Sequence, residues 1–465
     1  MTEQKPTLSL LDTTLIVSGS MIGSGIFIVS SEMARTVGSS GWLLLCWVLT
    51  GVLTLFAALS YGELAGMMPK AGGQYVYIKK AFGSLVAFMY GWTVFLVIQT
   101  GVIAAVAVAF AKYVGVFIPL FEEGNVFVQI GKFKLTYAQL LAICSIAFLT
   151  FLNARGIKNG KIIQRVFTFA KLIALFGLII IGLYAGMRHN FFSENFKNAW
   201  SGYELIGDKV NPLSGMAIWI AVGVAMIGSL FSSDAWNNVT FIAAEIKEPQ
   251  RNIPLGLMLG TFIVTVIYCL ANVAYLCLLP MNDIQHAVHD RVGAAAMATI
   301  FSGNTAMYLM AGLIIVSTFG CNNGLILAGA RLFQAMSADD LFFKKAKDTN
   351  AFGVPGYALV IQCIWASLLC LSGSYGDLLE YATFASLLFY IVTISAIFIL
   401  RKKEPNTPRP YKAWGYPLVP AIYILLTTLI CIDLVYNKTL NTGIGLVIVS
   451  LGIPVYFIMR SKKHA

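Results

Sequence analysis

The chain is 465 residues long and carries a net charge of +11, yet only 11% of its residues are charged and 58% are hydrophobic, for a mean hydropathy of +0.79. Soluble domains carry about a quarter charged residues, so this composition excludes a water-soluble globule and describes one membrane-embedded unit without polar linkers. The basic residues lie in short loops between apolar runs, where membrane topology accounts for them and nucleic-acid binding does not.

The first apolar run continues from Leu8 to Ile28 without a small-residue cleavage site, so it reads as a span and not as a removed signal segment. Segments able to cross a bilayer, about 20 residues each, are predicted near 10–36, 40–65, 84–119, 137–153, 161–186, 213–246, 254–280, 303–335, 356–373, 377–400, 418–436 and 441–459. With the N-terminus inside, Lys70, Lys79, Lys80, Arg155, Lys158, Lys161, Arg165, Lys344, Lys345, Lys347, Arg401, Lys402, Lys403, Arg409 and Lys412 all fall in cytoplasmic loops. The tail with Arg460, Lys462 and Lys463 falls on the same side, which places both termini in the cytoplasm. The opposite loops hold Glu122, Glu123, Glu194, Glu204, Asp208, Asp283 and Asp290.

Two spans are interrupted. In the first, GSMIGSGIF from Gly19 to Phe27 places three glycines in a helix interior, each costing about 1 kcal/mol relative to alanine. Gly19 and Gly23 fit a small-residue packing face. The alternative is an unwound stretch in which the backbone N–H groups of Gly23, Ser24 and Gly25, at the start of a second half-helix, bind a carboxylate. Five spans later LFSSDAWNN, Leu230 to Asn238, sets Ser232, Ser233, Asp234, Asn237 and Asn238 at mid-membrane depth. Paired interruptions in two five-helix halves mark an inverted-repeat transporter with its site at the midplane. Carbonyls around Phe231 to Ser233 would receive an ammonium group, so the two breaks together describe an α-amino acid. Asp234 is either a helix-end cap or a contact to that ammonium group, and Phe231 and Trp236 are either packing aromatics or gates.

Lys171 lies about ten residues into the fifth predicted span, roughly 15 Å along a helix, too deep to reach the interface easily. A charge there costs about 3 kcal/mol on insertion scales. It is expected to face the bundle, contact carbonyls of the first broken helix, and stand where related transporters bind a cation or else titrate and couple a proton. Eight cysteines lack metal-site spacing. The histidines, His189, His286, His289 and His464, lie in loops or the tail, and GIKNGKI from Gly156 lacks the phosphate-loop pattern. No cofactor, metal or enzymatic activity is expected.

With these residues in hand, the chain resembles the amino acid–polyamine–organocation superfamily and, within it, the L-type amino-acid transporter branch. GSMIGSGIF is similar to the family's first-helix motif. PKAGGQYVYIKKAFG, Pro69 to Gly83, resembles its cytoplasmic re-entrant segment. FSSDAWNNVTFIAAEIKEPQRNIP, Phe231 to Pro254, and STFGCNNGLILAGARLFQAMSADD, Ser317 to Asp340, resemble its sixth and eighth helices. The resemblance implies an all-α membrane protein of about twelve transmembrane helices with a leucine-transporter-like fold. Two inverted five-helix repeats, about 10–186 and 213–400, would be followed by two extra helices at about 418–459. It also implies sodium-independent exchange of neutral L-amino acids of small to medium size across the cell membrane. By motif, Ile22, Gly23, Ser24 and Gly25 match the carboxylate site. Phe231, Ser232 and Asp234 match the ammonium site and gate, and Lys171 the vacated cation site. Asp234 stands where many eukaryotic members have glycine. The outer segment Phe121 to Thr136 has no cysteine for a glycoprotein subunit, so a monomer without a disulfide-linked heavy subunit, of prokaryotic origin, is expected. A proton-coupled symporter is the closest alternative and a polyamine carrier a more distant one.

Overall fold

The first helix starts with reciprocal hydrogen bonds: Asp12 N–H donates to Ser9 Oγ (3.3 Å) and Ser9 N–H to Asp12 Oδ2 (3.0 Å), a capping box that satisfies two otherwise orphaned donors. In the computed structural model, which describes residues 6–122, 124–131, 133–188, 190–207, 209–301, 304–371 and 375–461, this helix is α1, Leu10–Met21. Glu123, His189, Asp208, Lys462, Lys463 and His464 lie outside the described residues.

A single 3-10 turn, Gly25–Phe27, separates α1 from α2, Val29–Val37, and α3, Ser40–Met67, follows. The segment Pro69 to Gly83 contains the short helix α4, Gln74–Phe82. The third span is α5, Ser84–Thr93, and α6, Gln99–Val114, joined by a π turn at Val94–Ile98. An antiparallel hairpin of β1, Val126–Ile130, and β2, Phe133–Thr136, leads into α7, Tyr137–Ala154, and α8, Ile157–Gly186. After α9, Phe191–Lys197, a second hairpin pairs β3, Tyr203–Ile206, with β4, Lys209–Pro212. The sixth span is α10, Met216–Ser232, continued by a 3-10 helix at Trp236–Glu245. The remaining helices are α11, Pro249–Leu278; α12, Met281–Gln285; α13, Val292–Ala298; α14, Thr305–Ala338; and α15, Gly356–Leu369. Last come α16, Tyr375–Lys403, α17, Leu418–Asn437, and α18, Thr439–Ser461.

Among the described residues ten helical stretches are long and apolar enough to cross a membrane, and the split first span and the 14-residue α15 bring the total to the twelve expected. The two hairpins and the π turn lie where only loops and a regular helix were read. The interruptions fall where the glycine and polar clusters placed them. Close helix crossings rest on small residues. A Cβ added at Gly260 of α11 would approach Val17 Cγ1 of α1 to 2.5 Å, so only glycine allows that contact.

The face that carries the N-terminus is sealed. Thr7 and Leu8 N–H groups both donate to Glu245 O, at 2.9 and 3.0 Å, and Lys247 N–H donates to Leu8 O (2.9 Å). These bonds add Leu8 as a parallel bridge beside Ile246. Arg331 Nε of α14 donates to Glu245 Oε1 at 2.7 Å, with both side chains 10% exposed or less, and Arg165 of α8 pairs with Asp12 at 2.6 Å. On the same face Glu63, 1% exposed near the end of α3, takes both nitrogens of the Arg401 fork (2.9 and 2.6 Å) and the Ala413 N–H (2.7 Å). That one carboxylate ties α3, α16 and the segment after α16 together. Glu63→Ala would strand Arg401 and is expected to cost about 3 kcal/mol, the order measured for breaking a buried pair from one side. Thermal melting in detergent would show the loss, with Glu63→Gln losing less. An unchanged melting temperature would remove the cluster from the stability account.

Candidate functional site

In the first interruption α1 stops at Met21, and Ile22 turns the chain out of the helix with φ −77° and ψ 97°. The first hydrogen bond of the following turn runs from Phe27 N–H to Ser24 O (3.1 Å). The amides of Gly25 and Ile26 therefore precede it, as the first N–H groups of any helical turn do. In the second interruption Ser233 caps the end of α10 and Ala235 takes left-handed φ +65°, after which the span continues as the 3-10 helix Trp236–Glu245.

The two interruptions touch. A Cβ at Gly25 would overlap Ser232 Oγ and lie 2.8 Å from Ser232 Cβ, so the absence of a side chain at Gly25 is what brings the breaks together. Tyr268 of α11, 2% exposed, joins them a second time: its hydroxyl lies 3.1 Å from Met21 O and 3.1 Å from Ser232 O. One hydroxyl proton serves two carbonyls, one at the end of each half-helix.

Other side chains satisfy the carbonyls that the first break releases. Lys171, 2% exposed, donates to Gly19 O and to Ile22 O (2.7 Å). Ser317 Oγ of α14 lies 3.1 Å from both Ile22 O and Gly23 O, Cys321 Sγ is 3.0 Å from Ser20 O, and Tyr275 OH reaches Ile26 O at 3.4 Å. The expected contact of Lys171 with the first broken helix is present. A cation held by carbonyl oxygens would need those same acceptors. Gly19 also does what a packing glycine would, since a Cβ there would run into Gln164 and Thr168 of α8.

The second break differs from expectation in detail. Phe231 O already accepts from Asp234 N–H (3.1 Å), and Ser232 O from Tyr268. A carbonyl oxygen has a second lone pair, so Ser232 O can accept once more, whereas Phe231 O also faces the Ser233 N–H. The Asp234 carboxylate turns toward α16, where Ser386 Oγ (3.2 Å) and Tyr390 OH donate to it. Trp236, 2% exposed, is clamped between Tyr61 and Tyr390 with ring centroids at 4.7 and 5.3 Å, away from the vestibule. Phe231 is buried in the last turn of α10. Tyr268, Ser317, Ser386 and Tyr390 were not singled out from the sequence. Each is a single hydroxyl in an apolar helix, and only the fold shows what it faces.

A vestibule of about 330 Å³ opens on the face opposite the N-terminus and reaches down to Ile28 and Gly228, one turn from each break. Glu32, Lys112, His289, Asp290, Glu380 and Lys438 line it. A second, small cavity lies beside Asp234 between the 3-10 helix, the third span and α16, lined by Gln99, Asn238 and Tyr390 among others. The site is thus approached from one face and sealed on the other.

Residues 8–458 match the model of the amino acid permease family. The chain is similar to the large neutral amino acids transporter small subunit 2 of Mus musculus, 31% identical over 99% of this chain and 82% of the relative. It is 29% identical to the serine/threonine exchanger SteT of Bacillus subtilis over 99% of this chain and 98% of the relative. The b(0,+)-type amino acid transporter 1 of Mus musculus is likewise 29% identical, over 93% and 82%.

Gly25→Ala is expected to destabilise the protein by about 1–3 kcal/mol, as overpacking does, and Ser232→Gly in the same chain to restore part of the loss. Melting temperatures of the single and double variants decide it, and equal loss in both would place the strain elsewhere.

Proposed function

The chain belongs to the amino acid permease family, and we propose that it exchanges neutral L-amino acids of small to medium size across a cell membrane by alternating access, without sodium. The observation that carries this reading is the contact of Gly25 with Ser232, which sets the two helix breaks against each other. The substrate carboxylate takes the N–H groups of Gly23, Ser24 and Gly25, beside Ile22, where the helix dipole favours an anion. The ammonium group takes the second lone pair of Ser232 O, at the end of the half-helix that also carries the Phe231 carbonyl, with Asp234 close by. Phe231 closes over the substrate, and Trp236 backs the second break against α3 and α16.

Lys171 supplies, from the chain itself, the positive charge that a bound cation would bring to Gly19 O and Ile22 O. This supports sodium independence. The two halves, about 10–186 and 213–400, rock around the site, and the helices at about 418–459 stand outside that motion. The loop lysines and arginines put both termini in the cytoplasm, so the vestibule faces outward and the sealed face is cytoplasmic. Exchange has a physical reason. An occluded empty site leaves several backbone groups without water or ligand, each costing about 1–3 kcal/mol, so the empty carrier returns far more slowly than the loaded one. The mouse relative's name calls it a small subunit, whereas the SteT exchanger's name mentions none. With no cysteine between Phe121 and Thr136, this chain works alone as a monomer.

Purified protein in proteoliposomes is expected to take up labelled neutral amino acids without sodium when the vesicles are preloaded with them, and barely when empty. Equal uptake into empty vesicles, raised by an inward proton gradient, would make it a proton symporter. Lys171→Ala takes the ammonium donor from Gly19 O and leaves Ile22 O to Ser317 alone, and is expected to cut the exchange rate at least tenfold while the protein remains folded in size-exclusion chromatography. A wild-type rate in that variant would leave Lys171 without a transport role.

A further inference from the structure

Gln74 opens α4 and is 1% exposed, with every hydrogen-bonding direction in use. Its Nε2 donates to Phe389 O (3.2 Å) and Thr393 Oγ1 (2.9 Å), both on α16. Its Oε1 accepts from Tyr90 OH (3.0 Å) and from Asn237 Nδ2 (2.8 Å). A backbone carbonyl can only accept, so Phe389 O fixes which end of the Gln74 amide carries the nitrogen. That choice fixes Asn237 in turn: its nitrogen points to Gln74, and its Oδ1 faces Tyr390 OH at 3.3 Å. The Tyr390 hydroxyl, with one proton, stands between Asn237 Oδ1 and the Asp234 carboxylate. A directed chain of buried groups therefore runs from α4 to the second break. The turn ahead of α4 is bound to the same 3-10 helix, because Gly72 N–H donates to Phe241 O (3.0 Å) and a Cβ at Gly73 would lie 2.6 Å from Thr240 Cβ.

We infer that Gln74 is a positioning residue for the substrate's ammonium group, acting through Asn237 and Tyr390 on Asp234. The inference rests on the reading of the second break as the ammonium half-site. In the empty site Tyr390 donates to Asp234. An ammonium group that draws on that carboxylate competes with the Tyr390 hydroxyl for it, and to the extent the hydroxyl is displaced it needs another acceptor or is buried unpaired. Asn237 Oδ1 is that acceptor only while Gln74 holds the amide in its present orientation. Without Gln74 the Asn237 amide is free to turn its nitrogen toward Tyr390, and substrate binding then leaves a hydroxyl unsatisfied. Gln74 and Tyr390 are linked through Asn237, so coupling between them reports the chain itself.

The test is a double-mutant cycle on the binding of tritiated L-serine and L-leucine to purified protein in detergent. Gln74→Leu and Tyr390→Phe are each expected to weaken binding about tenfold, and the double variant no more than about twofold beyond Tyr390→Phe, since the hydroxyl through which Gln74 acts is already gone. Gln74→Glu keeps the acceptor for Asn237 and is expected to stay within about threefold of wild type, which also covers failure of Gln74→Leu to fold. Multiplying losses in the double variant, unchanged affinity in Gln74→Leu, or a tenfold loss in Gln74→Glu would each overturn the inference. Failure of the unsubstituted protein to bind either amino acid would instead overturn the half-site reading beneath it.

Discussion

Every backbone N–H and C=O group in the middle of a membrane must find a partner within the protein, because lipid offers none. The arrangement around the two interruptions follows from that constraint. Breaking α1 after Met21 releases the carbonyls of Gly19, Ser20, Met21, Ile22 and Gly23, and Ile26 O follows after the turn, while Ser24 O and Gly25 O accept from Phe27 and Ile28 N–H. Lys171, Ser317, Cys321, Tyr268 and Tyr275 reach in from three different helices to take them. The partners sit on α8, α11 and α14, so the broken span is held by the helices around it and not by its own ladder.

Much of this was legible in the chain. The span count, the glycine and serine break at Gly19 to Phe27, and the polar break at Ser232 to Asn238 follow from composition and depth. The contact of Lys171 with the first break follows from the expense of burying an ammonium group that cannot snorkel. Less visible were the residues whose role is set by what they face. Tyr268 lies in an apolar run, YCLANVAY, that reads as ordinary packing, and its bridge between Met21 O and Ser232 O exists only because α11 passes both helix ends. The direction of Asp234 was equally hidden. The sequence puts a carboxylate at the break, but the choice between the site and α16 depends on Ser386 and Tyr390, about 150 residues away. The hairpins outside the spans carry no periodic burial to announce them, since β4 is exposed at every position.

The two faces of the molecule are built from different interactions. The open side is a vestibule rimmed by separate charges of both signs, Glu32, Lys112, Asp290, Glu380 and Lys438, a surface that water can fill. On the closed side Thr7 and Leu8 N–H donate to Glu245 O and Lys247 N–H donates to Leu8 O, bonds that depend little on side-chain identity. The Arg331–Glu245 pair, nearly dry, adds the larger electrostatic penalty to any opening.

Asp12 divides its two oxygens between separate tasks. Oδ2 completes the helix cap with Ser9, and Oδ1 meets Arg165, whose side chain is 46% exposed. At this end of α1 the tie to α8 is that ion pair, half in water on the arginine side, while the cap travels with the helix. The segment Leu10–Met21 is in this sense a lever with a reinforced handle: it resists fraying at the N-terminal face, and the joint at Ile22, already free of helical geometry, is where such a lever would bend.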